Sequence, residues 1–287
     1  MSENVHPRAD ELDAMTAFDF VALMHAEDLA AVEASRPQLR QVAHAVDEIA
    51  QRLGSGGRLH YFGAGTSGLI ARLDAAECPS TFGVTADLVQ AHSADEPDQE
   101  DDRRLGMAAA TKAGLTSNDA VVGISASGRT AYVLGAFERA AGAGVLRVAL
   151  TCSPRSALAR TADLAIEVET GPEVIAGSTR LKAGTVQKLV LNMLSTAVFT
   201  RLARTHRGRM VGVVASNDKL RARAARLVAD VGGGSNDEAA RALDAAGGNP
   251  KVAIVMLRRG VTADEAEVLL AAANGDLGVV LAEAKRP

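Results

Sequence analysis

The sequence has few of the residues that nucleic-acid and disulfide-stabilised proteins rely on. Aromatic residues make up 3% of the 287 residues and tryptophan is absent, which disfavours a surface that stacks bases. Aspartate and glutamate (35) outnumber lysine and arginine (31), and the net charge of -4 disfavours nucleic acid as a partner because phosphate neutralisation needs clustered cations. The two cysteines are too few for a disulfide scaffold or a thiolate zinc site.

Long apolar runs and targeting signals are also missing. The best membrane candidate, Leu189 to Thr200, is uncharged but shorter than the roughly 20 residues that span a bilayer. The start of the chain, Met1 to Asp10, is polar and acidic, unlike a secretory signal. These features predict a cytoplasmic protein with no membrane partner. The six histidines show no metal-binding spacing, so no metal site is predicted.

Short apolar segments alternate with helical patterns through the middle of the chain. Strands are predicted over residues 58–62, 86–91, 119–124, 146–152 and 162–168. Such alternation is typical of an α/β protein with a mostly parallel sheet covered on both faces. Two helical segments precede it, and helical segments dominate after His206. We predict one domain over residues 1–229 and a small three-helix domain over residues 230–287.

Two turns rich in glycine and hydroxyl residues follow predicted strands, Gly63 to Gly68 and Ser125 to Thr130. Helix starts attract anions, so two such turns in one parallel sheet favour a phosphorylated small molecule at the carboxyl ends of the strands. The first turn also matches the G-x-G-x-x-G pattern of dinucleotide sites, although no acidic residue ends the predicted second strand. Alternatively, these residues are only helix caps and turn formers.

Three further groups are candidates for the same site. Ser178 could cap the long helix predicted to begin near residue 181, and Lys182 could neutralise a phosphate. Pro79 is expected to end the helix that carries Glu77, where the helix dipole disfavours an anion; this suits a general acid, although an exposed surface glutamate is the alternative. The acidic run over residues 95–102 could be a solvated loop or could supply a base.

Four motifs together resemble the N-acetylmuramic acid 6-phosphate etherases, which have the SIS (sugar isomerase) fold, a doubly wound sheet flanked by helices. They are Gly63-Ala-Gly-Thr-Ser-Gly68, Leu73-Asp-Ala-Ala-Glu-Cys-Pro79, Gly123-Ile-Ser-Ala-Ser-Gly-Arg-Thr130 and the long run from Gly177 to Thr196. The resemblance covers nearly the whole chain, including its helical C-terminal part.

The resemblance implies a lyase that cleaves the lactyl ether of N-acetylmuramic acid 6-phosphate to N-acetylglucosamine 6-phosphate and D-lactate, in cell-wall sugar recycling. It implies no cofactor, and a homodimer. Glu77 matches the family's acid/base glutamate, and Glu100 matches the second, which takes the proton from C2. The residues that match or adjoin the family's sugar-phosphate site are Gly65, Thr66, Ser67, Ser125, Ser127, Thr130, Ser178 and Lys182.

The sequence departs from the family pattern at two places near these residues. Leu69-Ile70-Ala71 follows Gly68 where the family has an arginine, and the segment before Glu100 is shorter than usual. Glu96 is therefore an alternative to Glu100 as the second carboxylate. A non-catalytic sugar-phosphate-binding regulator of the same fold is the alternative function.

Overall fold

The structure is a computed structural model that describes residues 4–213 and 218–282. Its described residues form two compact units. The first unit comprises residues 4–76 and 87–196, and the second comprises residues 77–86, 197–213 and 218–282. The predicted domain boundary between residues 229 and 230 stays a prediction. Three stretches lie outside the described part: residues 1–3 of the start that is predicted to carry no signal, and residues 214–217 and 283–287 of the predicted domains.

A five-stranded parallel sheet forms the centre of the first unit. Its strands are β1 (Leu59–Ala64), β2 (Val89–Ala94), β3 (Ala120–Ser125), β4 (Leu146–Thr151) and β5 (Leu164–Glu167). Their order across the sheet is β2-β1-β3-β4-β5, and every neighbouring pair is parallel. This confirms the predicted α/β fold with a doubly wound parallel sheet.

The helices of the first unit precede, connect and follow these strands. They are α1 (Ala17–Ala34), α2 (Leu39–Gly54), α3 (Gly65–Phe82), α4 (Pro97–Glu100), α5 (Arg103–Lys112), α6 (Ala131–Ala141), α7 (Ala157–Thr161) and α8 (Lys182–Arg201). The division between the units falls within α3 and α8. Every residue of β1 and β3 is buried, as expected for central strands with helices on both faces. On one face, Phe62 and Val121 pack with Ala110 of α5 and Phe137 of α6.

Two elements begin or end where the sequence did not predict. The predicted end of α3 at Pro79 is wrong, because the helix continues through Pro79 to Phe82. Glu77 therefore lies inside the helix, and the helix-dipole reason for a general acid there no longer applies. Strand β2 ends at Ala94, three residues later than predicted, so Asp95 follows it directly.

One face of α1 is apolar and exposed. Phe18, Val21, Leu29 and Val32 are spaced to share one side of the helix, and their exposed fractions are 81%, 66%, 55% and 39%. The helix buries Leu23 and Ala31 instead. We refer to these four residues as the α1 apolar face.

The second unit is mainly helical. A short hairpin, β6 (Thr205–His206) and β7 (Arg209–Met210), is followed by α9 (Asp218–Gly232), α10 (Asn236–Ala245), α11 (Pro250–Arg259), α12 (Ala263–Ala272) and α13 (Leu277–Ala282). Val228, Leu243, Ile254 and Leu277 lie in its apolar core. The three helices predicted after residue 230 are present, and the short α13 adds a fourth. Within the described ranges, no helix is long and apolar enough to cross a membrane.

Candidate active site

The two hydroxyl-rich turns lie at the same edge of the sheet. β1 and β3 are neighbours, with Gly63 opposite Ile124, and each turn follows the carboxyl end of its strand. β2 lies on one side of β1, whereas β3 and the later strands lie on the other side. The direction in which strands are added therefore reverses between β1 and β3. Ligands of doubly wound sheets bind at such a reversal point.

The second turn is held by its own hydroxyl groups. Ser125 is buried, and its Oγ lies 2.8 Å from Thr130 Oγ1 and 3.5 Å from Ser127 Oγ. The backbone N–H of Gly128 donates to the same Ser125 oxygen at 2.9 Å. Ser127 Oγ also accepts from the N–H of Arg129 at 3.2 Å. The turn is thus pre-ordered, with several hydroxyl groups clustered at the start of α6.

Glu100 is bonded to the second turn and lies beside the first. Thr130 Oγ1 donates to Glu100 Oε1 at 3.3 Å, and Glu100 Oε2 lies 3.9 Å from the position that a Cβ on Gly65 would occupy. A carboxylate therefore lies beside both turns at the point where strand order reverses. The alternative residue, Glu96, is exposed and lies directly before α4, and no hydrogen bond joins its side chain to either turn in the described part of the chain.

The first turn is shorter than the sequence suggested. α3 begins at Gly65, directly after the last residue of β1, and Gly65 has a φ of +52°. Thr66 is half-buried, whereas Ser67 is buried and its Oγ donates to Gln187 Oε1 at 3.0 Å. The Nε2 of Gln187 is buried and has no hydrogen-bond partner among the residues that the structure describes.

Lys182 does not contribute a free charge. Its ammonium group is buried and bonded to the carboxylate of Glu27, which also lies 3.4 Å from His6 Nε2. Burial raises the pKa of Glu27, but the hydrogen bonds from Lys182 and His6 outweigh burial and lower it. The predicted role of Lys182 in neutralising a phosphate therefore stays a prediction, and it would require this ion pair to open.

An acid that the sequence analysis missed caps the start of α8. Glu173 is fully buried, and its two carboxylate oxygens accept from the N–H groups of Lys182 and Ala183, each at 3.0 Å. An acid at this position satisfies the free N–H groups of a helix start and favours its dipole. Ser178, the predicted cap, is half-buried and forms hydrogen bonds through its backbone.

Glu77 lies in the second unit, on the part of α3 that follows Ala76. Its side chain is exposed, and its carbonyl oxygen accepts from Thr81 Oγ1 at 2.8 Å and from Ser80 Oγ at 3.2 Å. Its assignment as the acid/base glutamate depends on the family motif and stays a prediction.

The topology disfavours a dinucleotide site. In the dinucleotide-binding fold β3 lies beside β2, whereas here it pairs with β1. Asp95, which follows β2 where such sites hold the ribose, is bonded to Arg72 and accepts from Ser93 Oγ at 2.8 Å. In the described part of the chain, no group of three or more His, Cys, Asp or Glu side chains could hold a metal ion.

Known proteins are similar to this chain in fold and in sequence. The SIS domain family matches residues 106–197. The ligand complex of the E. coli CFT073 protein c3406 is similar in fold, with a TM-score of 0.51 and 22% identity over 68% of this chain and 97% of that one. An N-acetylmuramic acid 6-phosphate etherase of Streptomyces avermitilis is 45% identical, and the alignment covers 99% of this chain and 94% of that protein. The etherase of Rubrobacter xylanophilus is 46% identical, and the alignment covers 100% of this chain and 97% of that protein. The chain therefore belongs to the N-acetylmuramic acid 6-phosphate etherase family.

Proposed function

We propose that the protein is a lyase that cleaves the D-lactyl ether of N-acetylmuramic acid 6-phosphate and acts in cell-wall sugar recycling. The observation that carries the proposal is the position of Glu100 beside both turns at the reversal point of the sheet. Membership of the etherase family supports the identity of the substrate, because relatives named for that substrate align with nearly the whole chain.

The phosphate of the substrate binds at the two turns. Backbone N–H groups at the starts of α3 and α6 attract an anion, and the Ser127 hydroxyl adds a hydrogen-bond donor. The hydroxyl groups of Ser125 and Thr130 lie beside it, and in this structure they bond to each other and to Glu100. Gly65 lets the backbone approach the ligand closely. Thr66, Ser67, Ser178 and Lys182 complete the proposed substrate-binding set; Ser67 and Lys182 already have protein partners in this structure.

The chemistry requires two carboxyl groups with different roles. In the open-chain sugar the aldehyde acidifies the C2 proton, and the Glu100 carboxylate takes it. The C3–O bond breaks, and Glu77 gives its proton to the departing lactate. Glu77 then takes a proton from water, whose hydroxyl adds to C3, while Glu100 returns the proton to C2. The sum is substrate plus water to N-acetylglucosamine 6-phosphate plus D-lactate, with no cofactor.

The active form is a homodimer in the cytoplasm. The α1 apolar face supports the dimer, because exposed apolar stripes of this kind mark protein–protein contacts. Both cysteines, Cys78 and Cys152, are buried thiols, which suits a reducing compartment.

Sedimentation tests the proposed dimer. It should give twice the chain mass, and Phe18→Asp should shift the protein to monomers. A wild-type monomer at assay concentration would reject the dimer.

The deciding experiment is a D-lactate assay with N-acetylmuramic acid 6-phosphate. The wild-type protein should release D-lactate in proportion to N-acetylglucosamine 6-phosphate, and Glu77→Gln should abolish release while the substrate still raises the melting temperature. Substrate-dependent stabilisation of the wild type without any lactate would instead identify a sugar-phosphate-binding regulator.

A further inference from the structure

The second unit contains a cleft that the proposed etherase chemistry does not use. Its volume is about 540 Å³, and it is lined by the β6–β7 hairpin together with residues of α9, α11 and α13. This size lies within the range of small-molecule binding sites. All the lining residues belong to the second unit, so the cleft is complete without the sheet edge.

Positive charge dominates the cleft. Among the residues that the structure describes, three arginines, Arg207, Arg209 and Arg258, line it against a single acid, Asp230. Arg209 Nε is paired with Asp230 Oδ2 at 2.5 Å, and its Nη1 donates to the carbonyl oxygen of Arg207 at 3.2 Å. Arg207 and Arg258 form no ion pair with any residue of the described ranges. The cleft thus holds two exposed guanidinium groups with no ion-pair partner in the described part of the chain, and a third that Asp230 holds in place.

The rest of the lining suits an organic group. Val231 and Leu281 supply apolar surface, and the imidazole of His206 lies beside Gly278. Burial lowers the pKa of His206, and the charges of Arg207 and Arg209 lower it further, against the opposing charge of the nearby Asp276. A neutral imidazole can both donate and accept a hydrogen bond, so it can contact a hydroxyl group without adding charge.

We propose that this cleft binds a small organic phosphate. The phosphate dianion lies against the guanidinium groups of Arg207 and Arg258, because a guanidinium forms two parallel hydrogen bonds to phosphate oxygens. The organic part lies on Val231 and Leu281. Asp230 fixes Arg209 and limits the net charge, which favours a single phosphate group over a longer polyanion.

The test uses phenyl phosphate as the probe, with inorganic phosphate and phenol as separate comparison ligands, in calorimetric titrations of the full-length protein. Phenyl phosphate should bind more tightly than either comparison ligand. The double variant Arg207→Ala/Arg258→Ala should weaken its binding at least about 10-fold. The matched control, Arg226→Ala/Arg241→Ala, removes two exposed arginines of the same unit outside the cleft and should bind as the wild type does.

A second pair of variants separates this cleft from the sheet edge. Ser125→Ala/Thr130→Val alters only the proposed substrate turns and should leave phenyl phosphate binding unchanged. Loss of binding in that variant but not in Arg207→Ala/Arg258→Ala would overturn the proposal, as would equal weakening by the control pair. A wild-type dissociation constant above about 1 mM would also overturn it. If the double variant fails to fold, Arg258→Gln alone provides the comparison. None of these results depends on lactate release.

Discussion

Thr130 donates a hydrogen bond to Glu100 over 3.3 Å, and this contact joins the start of α6 to the end of α4. The same hydroxyl lies 2.8 Å from Ser125 Oγ, so Glu100 is attached to an ordered turn although it belongs to a helix of only four residues. A base held in this way has a fixed direction relative to the phosphate turns, which is what proton abstraction from a bound sugar requires.

Glu100→Gln should lower kcat for lactate release by about 10² to 10⁴, because the amide cannot accept the C2 proton. The amide keeps an oxygen for Thr130, so the variant should fold and bind substrate. Glu96→Gln, four residues earlier, is the control and should keep wild-type kcat. The opposite pattern, with Glu96→Gln inactive and Glu100→Gln active, would reassign the second carboxylate.

Gly128→Ala should destabilise the protein by about 2 to 4 kcal/mol, measured by urea unfolding. Gly128 has a φ of +63°, and an added Cβ would collide with the Oγ and Cβ atoms of Ser156. Gly171→Ala is matched in backbone, with a φ of +71°, but no atom lies within 4 Å of the added Cβ. It should therefore cost only about 1 kcal/mol. Equal losses would show that backbone strain, and not the contact with Ser156, limits this position.

Glu173→Gln should lower the free energy of unfolding by about 2 kcal/mol. Hydrogen bonds to a charged acceptor are worth more than those to a neutral one, and the amide can accept only one of the two N–H groups that Glu173 binds. Glu169→Gln is the control, because Glu169 is exposed. A Glu173→Gln protein as stable as the control would mean that the start of α8 does not need the carboxylate.

The free energy of unfolding should fall as pH falls from about 6.5 to about 4. Burial, aided by the nearby His92, lowers the pKa of His60 from 6.5 to about 4, so across this range the unfolded chain binds a proton that the folded protein does not. Since each pKa unit corresponds to about 1.4 kcal/mol, His60 contributes about 3 kcal/mol to the decline. Burial also lowers the pKa of His92, whose Nε2 lies 3.1 Å from His60 Nδ1, and it adds to the same slope.

The measurement is urea unfolding at a series of pH values. His60→Gln should be less stable at pH 7 but should show a shallower dependence on pH, and His44→Gln, at an exposed site, should keep the wild-type slope. A slope that His60→Gln leaves unchanged would assign the acid sensitivity to other groups.

The sequence predicted much of this molecule because the relevant signals are local. Five apolar strands alternating with helices specify the parallel sheet, and the hydroxyl-rich turns mark the carboxyl ends of β1 and β3. The motifs around Gly63 and Gly177 also carried the family resemblance, which the full-length relatives confirm.

The errors and omissions come from contacts that are distant in sequence. One omission is the ion pair between Lys182 and Glu27, which lies 155 residues earlier; the phosphate-binding role of Lys182 stays a prediction. Glu173 stands nine residues before the helix that it caps, too far for a capping pattern to reveal it. Pro79 predicts a helix end locally, yet α3 continues past it, and a local propensity often yields to tertiary packing in this way.

The direct passage from Ala64 of β1 to Gly65 of α3 limits how this family member can evolve. With no loop to absorb a length change, one inserted or deleted residue would rotate all of α3 by about 100° about its axis. Ser67 would then no longer face Gln187, and the turn would lose its geometry. Insertions should therefore be absent from this junction in functional descendants.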